Sequence, residues 1–426
     1  MRPLGRLLVG LTLALAPLAV SATPAPATLP ATHVGGVIPD VPTGVRMPPQ
    51  ARIANLPYGG GPVLHSNRTH LIFWQPAGSS LSYDPGYQQQ FELFLSRVAA
   101  DNRTTTNVYS LTGQYTDSIG PAVYNSTYDG AVLAVDPLPA NGCSEPAQTG
   151  PGWGVCLDDS QLEAEIEQVV AVDHLPRTSR DIYFLVMPGG MGTCETTGPD
   201  NCALGGGANG SFCGYHSSSP DGSILYAVIP YNAVNGHCQS GNPRPNGSTA
   251  DPSLSTLSHE HNETITDPLG DAWIDGAGNE DGDLCIAQYG PNLGGSGAGA
   301  WNEVIHGGRY FLQEEWSNDD GSCRPRARPD SVSFEVSSKI AARSAATFTG
   351  RGRVPHGSVD AFDWTFGDGH AARGRVVQHT YPRQSSYRVT LRITDSAGNR
   401  TSTTRTIRVS GQARDVKKRA RDIKRR

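Results

Sequence analysis

Cysteine content limits the fold of this chain more than any other feature. The 426 residues include eight cysteines, an even number, and none of them forms the C-x-x-C pair that would indicate a thiolate zinc site. About a hundred pairings are available to eight cysteines. The simplest hypothesis is sequential pairing: Cys143 with Cys156, Cys194 with Cys202, Cys213 with Cys238, and Cys285 with Cys323. With 50 glycines and 32 prolines, the chain is predicted to be rich in loops that disulfides brace.

The first residues indicate export. Arg2 and Arg6 precede the apolar run from Leu7 to Val20, and small residues follow at 20–22. This pattern predicts a secretory signal peptide at residues 1–22. The apolar run is too short for a membrane span, and no other stretch is long enough. We therefore expect a secreted, extracellular protein without a membrane span, in a compartment where disulfides persist.

Two segments outside the folded regions have biased composition. Residues 23–56 are rich in Pro, Ala, Thr and Val, and we interpret them as a leader, with a propeptide role as the alternative. The tail 411–426 is basic, with eight Lys or Arg and two Asp from Arg414 onward. Because the whole chain has a net charge of −6, the remainder is strongly acidic, which argues against a nucleic-acid binder.

Helix and strand patterns alternate through residues 57–325. Strands are predicted at 70–74, 107–112, 131–135, 181–188, 223–230 and 309–313, and helices begin near Asp84, Ser160 and Asp251. The Gly- and Cys-rich segment 189–222 is predicted to be a loop. This alternation indicates an α/β (α+β) domain, in which helices pack against a mixed sheet.

The helix that begins at Asp251 carries a candidate metal centre. Asp251 and Pro252 form a helix-start signal, and Pro268 marks the far end. Within the helix His259 and Glu263 project from one face, one turn apart, and can reach one divalent cation. Glu260 lies next to the first ligand, where it can act as general base toward a water molecule.

This H-E-x-x-E layout is similar to the H-E-x-x-H motif of the zincin metallopeptidases, with Glu263 in place of the second histidine. The resemblance implies a sheet that supports the active-site helix, with substrate between the helix and a sheet edge. A set of His and carboxylate ligands suits zinc, although carboxylate-rich sites also suit harder cations. Glu280 and Asp283, in the acidic segment 275–285, are the candidates for the third ligand.

Four short motifs add a second resemblance. They are Phe212-Cys213-Gly214-Tyr215-His216, Ser258-His259-Glu260, Thr266-Asp267-Pro268 and Asp283-Leu284-Cys285. In these motifs residues 57–325 resemble the exordium or phosphate-induced family of secreted, cell-wall-associated proteins. The resemblance draws attention to His216, which can be brought to the metal or can bind an oxyanion; a loop histidine bonded to backbone is the alternative.

Residues 329–410 show short alternating strands and no helical pattern, which predicts a small β-sandwich. The segment contains Asp363-Trp364-Thr365-Phe366-Gly367-Asp368-Gly369, followed by His379-Thr380-Tyr381. These motifs resemble the PKD domain, an immunoglobulin-like sandwich of exported proteins. The resemblance implies an accessory or binding module, of a kind often appended to secreted hydrolases.

The leading hypothesis is therefore a secreted zinc metallopeptidase-like hydrolase with an accessory PKD module. Its candidate residues are the metal ligands His259, Glu263, Glu280 and Asp283 and the catalytic residues Glu260 and His216. The expected substrate is an extracellular protein or a cell-wall polymer, and we expect a monomer. The alternative is a non-catalytic extracellular or cell-wall binding protein, in which the acidic segment holds a structural cation such as calcium. The calcium ligands would then be Asp275, Glu280, Asp281 and Asp283.

Overall fold

The computed structural model describes most of the chain between residues 34 and 411. The described ranges are 34–39, 55–143, 153–195, 202–203, 211–234, 238, 243–328, 331–337, 340–354, 358–395 and 400–411. The predicted signal peptide and almost all of the basic tail lie outside the described residues. Of the leader 23–56, the structure describes the backbone of 34–39 and residues 55–56.

Strands and helices alternate in the first part of the described chain. The elements are β1 (Val34–Pro39), β2 (Asn67–Trp74), α1 (Tyr87–Ala100), β3 (Ser126–Ala134), β4 (Val155–Asp158), α2 (Asp159–Val172), β5 (Asp181–Val186), β6 (Met191–Cys194), β7 (Cys202–Ala203), β8 (Ser211–Ser218), β9 (Leu225–Ile229), α3 (Asp251–Thr266), β10 (Glu303–Ile305), β11 (Gly308–Tyr310), β12 (Glu315–Ser317) and β13 (Ser322–Arg324). Strands β1 to β9 form one mixed sheet in the order β3-β2-β5-β9-β8-β7-β6-β4, with β1 paired to β8.

Both faces of this sheet are covered by helices. Alternate residues of β2 point to opposite sides, so that Leu71 and Phe73 belong to one core and Ile72 and Trp74 to the other. The first core also contains the apolar faces of α1 and α3, whereas the second contains that of α2. The observed architecture is therefore a mixed α/β domain, as expected, with α3 buried between the sheet and the segments that follow it.

All three predicted helices are observed. In α1 the five buried residues, Tyr87, Phe91, Phe94, Leu95 and Val98, recur at helical spacing and form one apolar face. For α3 the predicted end before Pro268 is confirmed, but the expected N-cap is one residue off. Ala250 occupies that position, and Asp251 accepts hydrogen bonds from the preceding backbone N–H groups of Asn246 and Ser248.

Two predictions of local structure were wrong. The segment 107–112 is not a strand, because the Asn107 side chain accepts a hydrogen bond from the Tyr109 N–H and begins a 3₁₀ helix at Val108–Gln114. The segment 189–222 is not a loop throughout, since it contains β6, β7 and β8. Its many glycines and cysteines give no strand pattern in the sequence, yet β8 pairs with β9 on one side and with β1 on the other.

The sequential disulfide pairing is confirmed by the four bonds Cys143–Cys156, Cys194–Cys202, Cys213–Cys238 and Cys285–Cys323. Each bond closes a short loop of the chain, with sequence separations between 8 and 38 residues. The third bond joins Cys213 of β8 to Cys238, and the fourth crosslinks the acidic segment to β13. Two of the segments around α3 are thus covalently restrained.

The C-terminal part is an all-β sandwich of two sheets. Its strands are β14 (Ser331–Val336), β15 (Ala345–Arg353), β16 (Val359–Thr365), β17 (Ala371–Arg373), β18 (Val376–Thr380), β19 (Ser385–Asp395) and β20 (Arg400–Val409). The sheet orders are β14-β15-β18 and β17-β16-β19-β20. Trp364 and Phe366 are buried between the sheets, as their alternation predicts, and Asp368 accepts hydrogen bonds from the backbone of His370 and from His379 Nε2. Among the described helices, none has the length and apolar character needed to cross a membrane.

A buried ion pair connects β2 to β5 at the start of both strands. Asp181 is fully buried, and its carboxylate accepts hydrogen bonds from Arg68 (Nη2 to Oδ2, 3.0 Å), His70 (Nε2 to Oδ1, 3.0 Å) and Thr178. Burial opposes ionisation of this carboxyl, but the hydrogen bonds and the guanidinium charge hold the pKa of Asp181 below its usual value. The ionised carboxylate therefore stabilises the fold.

We expect Asp181→Asn to lower the free energy of unfolding by about 2–3 kcal/mol at pH 7, because Arg68 and His70 lose their partner. Since the pKa of Asp181 is lowered on folding, its contribution is complete above the unfolded value of about 4 and is lost as the pH falls through the folded value. Urea unfolding at pH 7 and at pH 3 tests this. Asp173→Asn, at an exposed position after α2, is the control, and equal losses at both pH values would contradict the prediction.

Candidate metal centre

Helix α3 is a polar helix that is buried along its whole length. Its sixteen residues from Asp251 to Thr266 are all buried, although its central run Ser258–Thr266 contains only one apolar side chain, Ile265. Strand β8, the segment 267–285 and the region of β12 surround it. A polar sequence in this position requires partners for each buried polar group.

The first group of converging side chains is His259, Glu263 and Asp283. The Nε2 atom of His259 lies 3.0 Å from Glu263 Oε1 and 3.7 Å from Asp283 Oδ1. Glu263 Oε1 also accepts a hydrogen bond from the Asp283 N–H. Within the described chain His259 Nε2 and Asp283 Oδ1 have no hydrogen-bond partner. The carboxylate oxygens thus approach His259 Nε2 closely enough to share an ion with it.

His216 on β8 brings in a second group. Its Nδ1 lies 3.3 Å from Glu260 Oε2 and 3.6 Å from Glu263 Oε2, and its Nε2 lies 3.6 Å from Glu280 Oε2. The same Nε2 is 3.3 Å from the Asp267 carbonyl oxygen. His216 is thus a buried strand residue that faces the motif helix, and it is not a loop histidine.

Two glycines permit these close approaches. A Cβ atom at Gly214 would lie 2.4 Å from Thr256 Cγ2 and 3.1 Å from Glu260 Oε1, so only glycine lets β8 approach α3 here. A Cβ atom at Gly282 would lie 2.6 Å from the His259 ring and 2.8 Å from Glu263 Oε1. A side chain at either position would overlap atoms of α3, so both positions require glycine.

Carboxylates outnumber histidines in this buried region. The buried carboxylates are Glu260, Glu263, Asp267, Glu280, Asp281, Asp283 and Glu315. Both oxygens of Glu280 and of Glu315, and Oδ2 of Asp281, have no hydrogen-bond partner among the described residues. Burial of unpaired charge is very costly, so the groups must take up protons or bind cations.

Burial and neighbouring charges shift the pKa values of the groups in this cluster. Burial and the neighbouring carboxylates raise the pKa of Asp281 to about 7 and that of Glu280 well above its usual value. Burial lowers the pKa of His216, but the hydrogen bond with Glu260 and the negative charge of Glu263 outweigh this and raise it to about 10. A cation that binds this cluster therefore displaces protons.

The structure brings together all six residues singled out from the sequence: His216, His259, Glu260, Glu263, Glu280 and Asp283. His261 is excluded from the cluster, as its helical position predicts, and its ring nitrogens contact Asn67 Oδ1 and the Tyr109 hydroxyl. Asp275 is separate too, because its carboxylate accepts hydrogen bonds from Ala277 and Asn279 within its own turn. In the alternative calcium hypothesis Asp275 would therefore have to give up these hydrogen bonds to reach a cation.

Two residues of the cluster were missed by the sequence analysis. The side-chain amide nitrogen of Gln313 donates a hydrogen bond to the Gly282 carbonyl oxygen (2.8 Å) and lies 2.9 Å from His259 Nδ1. Glu315 is the buried carboxylate at the start of β12. No motif marks either residue, because both reach α3 from more than 50 positions along the chain.

The comparisons with known proteins first concern the C-terminal sandwich. The family described as the PKD domain matches residues 326–410. This part of the chain is a PKD domain. The PKD1 domain of Vibrio anguillarum Epp is 25% identical, and the match covers 20% of this chain and 96% of that one with a TM-score of 0.19. The PKD1 domain of the Vibrio cholerae metalloprotease PrtV is 24% identical, with coverages of 18% and 94% and a TM-score of 0.17. A PKD domain and disulfides are both typical of extracellular proteins.

Structures that cover more of the chain than the PKD domain also match. One is catalytically inactive OgpA from Akkermansia muciniphila in complex with an O-glycopeptide substrate, at 12% identity and a TM-score of 0.21. The match covers 84% of this chain and 96% of that one. A TM-score of this size does not establish a common fold.

We expect Gly282→Ala to weaken zinc binding at least tenfold, because the added Cβ would displace the His259 ring or the Glu263 carboxylate. Its φ of −74° suits any residue, so the effect is one of space and not of backbone strain. Competition with a chromophoric zinc chelator measures the affinity. Gly276→Ala is the matched control in the same acidic segment, since a Cβ there meets nothing within 4 Å. Equal affinities of the two variants would contradict the assignment.

Proposed function

We propose that this protein is a secreted, metal-dependent hydrolase of the zinc metallopeptidase type, with a zincin-like central domain and an accessory PKD module. The observation that carries the proposal is the approach of Glu263 Oε1 and of Asp283 Oδ1 to His259 Nε2, beside Glu260. Two atoms that each bind one zinc ion at about 2.1 Å lie at most about 4.2 Å apart. The observed separations of 3.0 Å and 3.7 Å from the imidazole nitrogen satisfy this limit.

The residues of the centre have different roles in the proposed hydrolysis. His259, Glu263 and Asp283 hold the cation, which when bound supplies Lewis acidity toward water and a substrate carbonyl. Glu260 accepts the proton of the attacking water and passes it to the leaving group. Burial raises the pKa of Glu260 above the usual glutamate value, despite its contacts with His216 and His259, which suits a group that must bind and release a proton near neutral pH.

A peptide is the substrate class that the sheet supports best. Strand β8 offers its edge at 212–217, opposite the side on which β9 pairs, and β1 of the leader pairs there antiparallel. Gly35 is the partner of His216 in this pairing. The Cα atoms of β1 approach within 8 Å of those of α3 and of the turn 283–285. An extended polypeptide is thus held beside the proposed cation, as a substrate strand would be.

The metal and the base can be tested separately. We expect purified protein to contain zinc by elemental mass spectrometry and His259→Ala to lose it. Glu260→Gln should keep the zinc, while its rate on a library of extracellular peptide substrates falls by about 10²–10⁴-fold, the usual contribution of a general base. Glu167→Gln, at a position on α2 remote from the cluster, is the control. Full activity in Glu260→Gln would show that the base is assigned wrongly.

The position of β1 makes the leader a candidate propeptide. We expect the double substitution Gly35→Pro and Val37→Pro to release β1, because proline removes backbone donors and disfavours pairing within a sheet. Hydrogen exchange of the 211–218 segment should then accelerate about tenfold or more, and peptide hydrolysis should rise. Exchange of β9 serves as the internal control. Unchanged exchange in 211–218 would contradict the pairing.

One observation favours a second candidate, a non-catalytic extracellular binding protein with a structural cation. The six residues of the centre are at most 7% exposed, whereas a catalytic centre must admit substrate. The leader experiment separates the two functions. A β1-released variant that holds zinc but hydrolyses none of the peptides would support the structural cation.

A further inference from the structure

The two oxygens of the Glu263 carboxylate face different histidines. Oε1 lies 3.0 Å from His259 Nε2, and Oε2 lies 3.6 Å from His216 Nδ1. A carboxylate that points one oxygen at each of two imidazoles has the arrangement of a bridge between two metal ions. We propose that the centre binds a second divalent cation through His216, Glu263 and Glu280. This inference rests on the proposed function, because the first cation is the one held by His259.

The two candidate third ligands divide between the two sides of Glu263. Asp283 Oδ1 is 3.7 Å from His259 Nε2, on the Oε1 side. Glu280 Oε2 is 3.6 Å from His216 Nε2, on the other side. The backbone sets this division, because the Glu280 N–H donates to Asp283 Oδ2 and the Asp283 N–H donates to Glu263 Oε1. The two acids of one short turn therefore serve two ligand groups.

Ligand spacing fits a second ion with small adjustments. One ring nitrogen of His216 and one oxygen each of Glu263 and Glu280 all lie within 4.8 Å of one another. A shared zinc ion allows about 4.2 Å between two ligand atoms, so side-chain movements of less than about 1 Å complete the set. The Asp267 carbonyl oxygen lies 3.3 Å from His216 Nε2, so a proton on Nε2 would leave Nδ1, 3.6 Å from Glu263 Oε2, as the ligand atom.

Unpartnered atoms point to the same ligand. Both Glu280 oxygens and Glu263 Oε2 are buried and have no hydrogen-bond partner within the described ranges. A cation at His259 does not satisfy Glu280, whose closest histidine is His216. One divalent ion also leaves most of the seven buried carboxylates uncompensated, and a second one offsets two further negative charges.

The ligand types define the cation. Each group combines one imidazole with carboxylates, a set that suits zinc or manganese and that paired metal sites use with ions about 3.5–4 Å apart. In this arrangement His216 and Glu280 are ligands, and an oxyanion-binding role of His216 is not needed. Glu260 lies between the two groups, with Oε2 3.3 Å from His216 Nδ1, so the base faces both ions.

The stoichiometry of zinc tests the proposal. Full-length protein is stripped with a chelator, reloaded with zinc chloride alone, freed of unbound zinc by gel filtration, and analysed by elemental mass spectrometry. We expect two zinc ions per chain in the wild type and one in both Glu280→Gln and His216→Asn. Asp275→Asn, in the same acidic segment but satisfied by its own turn, is the control and should keep two. Thermal unfolding confirms that each variant is folded.

Each outcome decides. Two ions in the wild type and one in folded Glu280→Gln and His216→Asn support the second site. One ion in the wild type that is lost in His259→Ala overturns the second site and leaves the proposed function intact. No zinc in the wild type overturns both. Two ions that remain in Glu280→Gln and His216→Asn place the second ion elsewhere and overturn the assignment.

Discussion

Uncompensated negative charge around α3 is the constraint on which the rest of the central domain depends. Seven carboxylates and two histidines of the centre are buried. Isolated charges in such a place cost many kcal/mol, and the cost is met by protons, by the two imidazoles or by cations. The surrounding elements hold these carboxylates close together despite their mutual repulsion. Glu263 lies at the centre, since both histidines approach it from opposite sides.

The elements that bring ligands to α3 are restrained close to the ligands themselves. Cys213, three residues before His216 on β8, is bonded to Cys238. Cys285, two residues after Asp283, is bonded to Cys323. A disulfide reduces the freedom of the unfolded chain and fixes the segment that carries it. Glycines at 214 and 282 then allow the restrained segments to approach α3 more closely than any side chain would permit. Covalent restraint and local absence of a Cβ act together at both sides of the centre.

The leader connects the fold to the proposed function. Strand β1 pairs with the edge of β8 beside the buried centre. Backbone pairing is indifferent to most side chains, so the same edge can hold a peptide of another sequence. Release of the leader would free this edge of β8 for pairing. The PKD domain adds a module with its own core, in which Trp364 and Phe366 are buried between two sheets.

Predictions from the sequence succeeded where neighbours in the chain decide the outcome. The buried face of α1 follows from spacing, since residues one helical turn apart share a face, and the disulfide pairs join cysteines that are adjacent in the sequence. The PKD resemblance was identified from short contiguous motifs on several strands and turns. The predictions failed where a side chain changed the local structure, as Asn107 did by beginning a 3₁₀ helix. They also failed where a Gly- and Cys-rich composition gave no strand pattern, as in β8.

The sequence by itself determined that His259 and Glu263 share one helix face with Glu260 beside them, because the helical repeat places residues four apart on one side. It also identified His216, Glu280 and Asp283 as candidates. Only the tertiary structure decided that Asp283 approaches His259 while Glu280 approaches His216, and that Gln313 and Glu315 belong to the centre. These contacts join residues 20 to 64 positions apart, and no local rule relates side chains at that distance. Their arrangement depends on the packing of β8, the acidic segment and β12 around one buried helix.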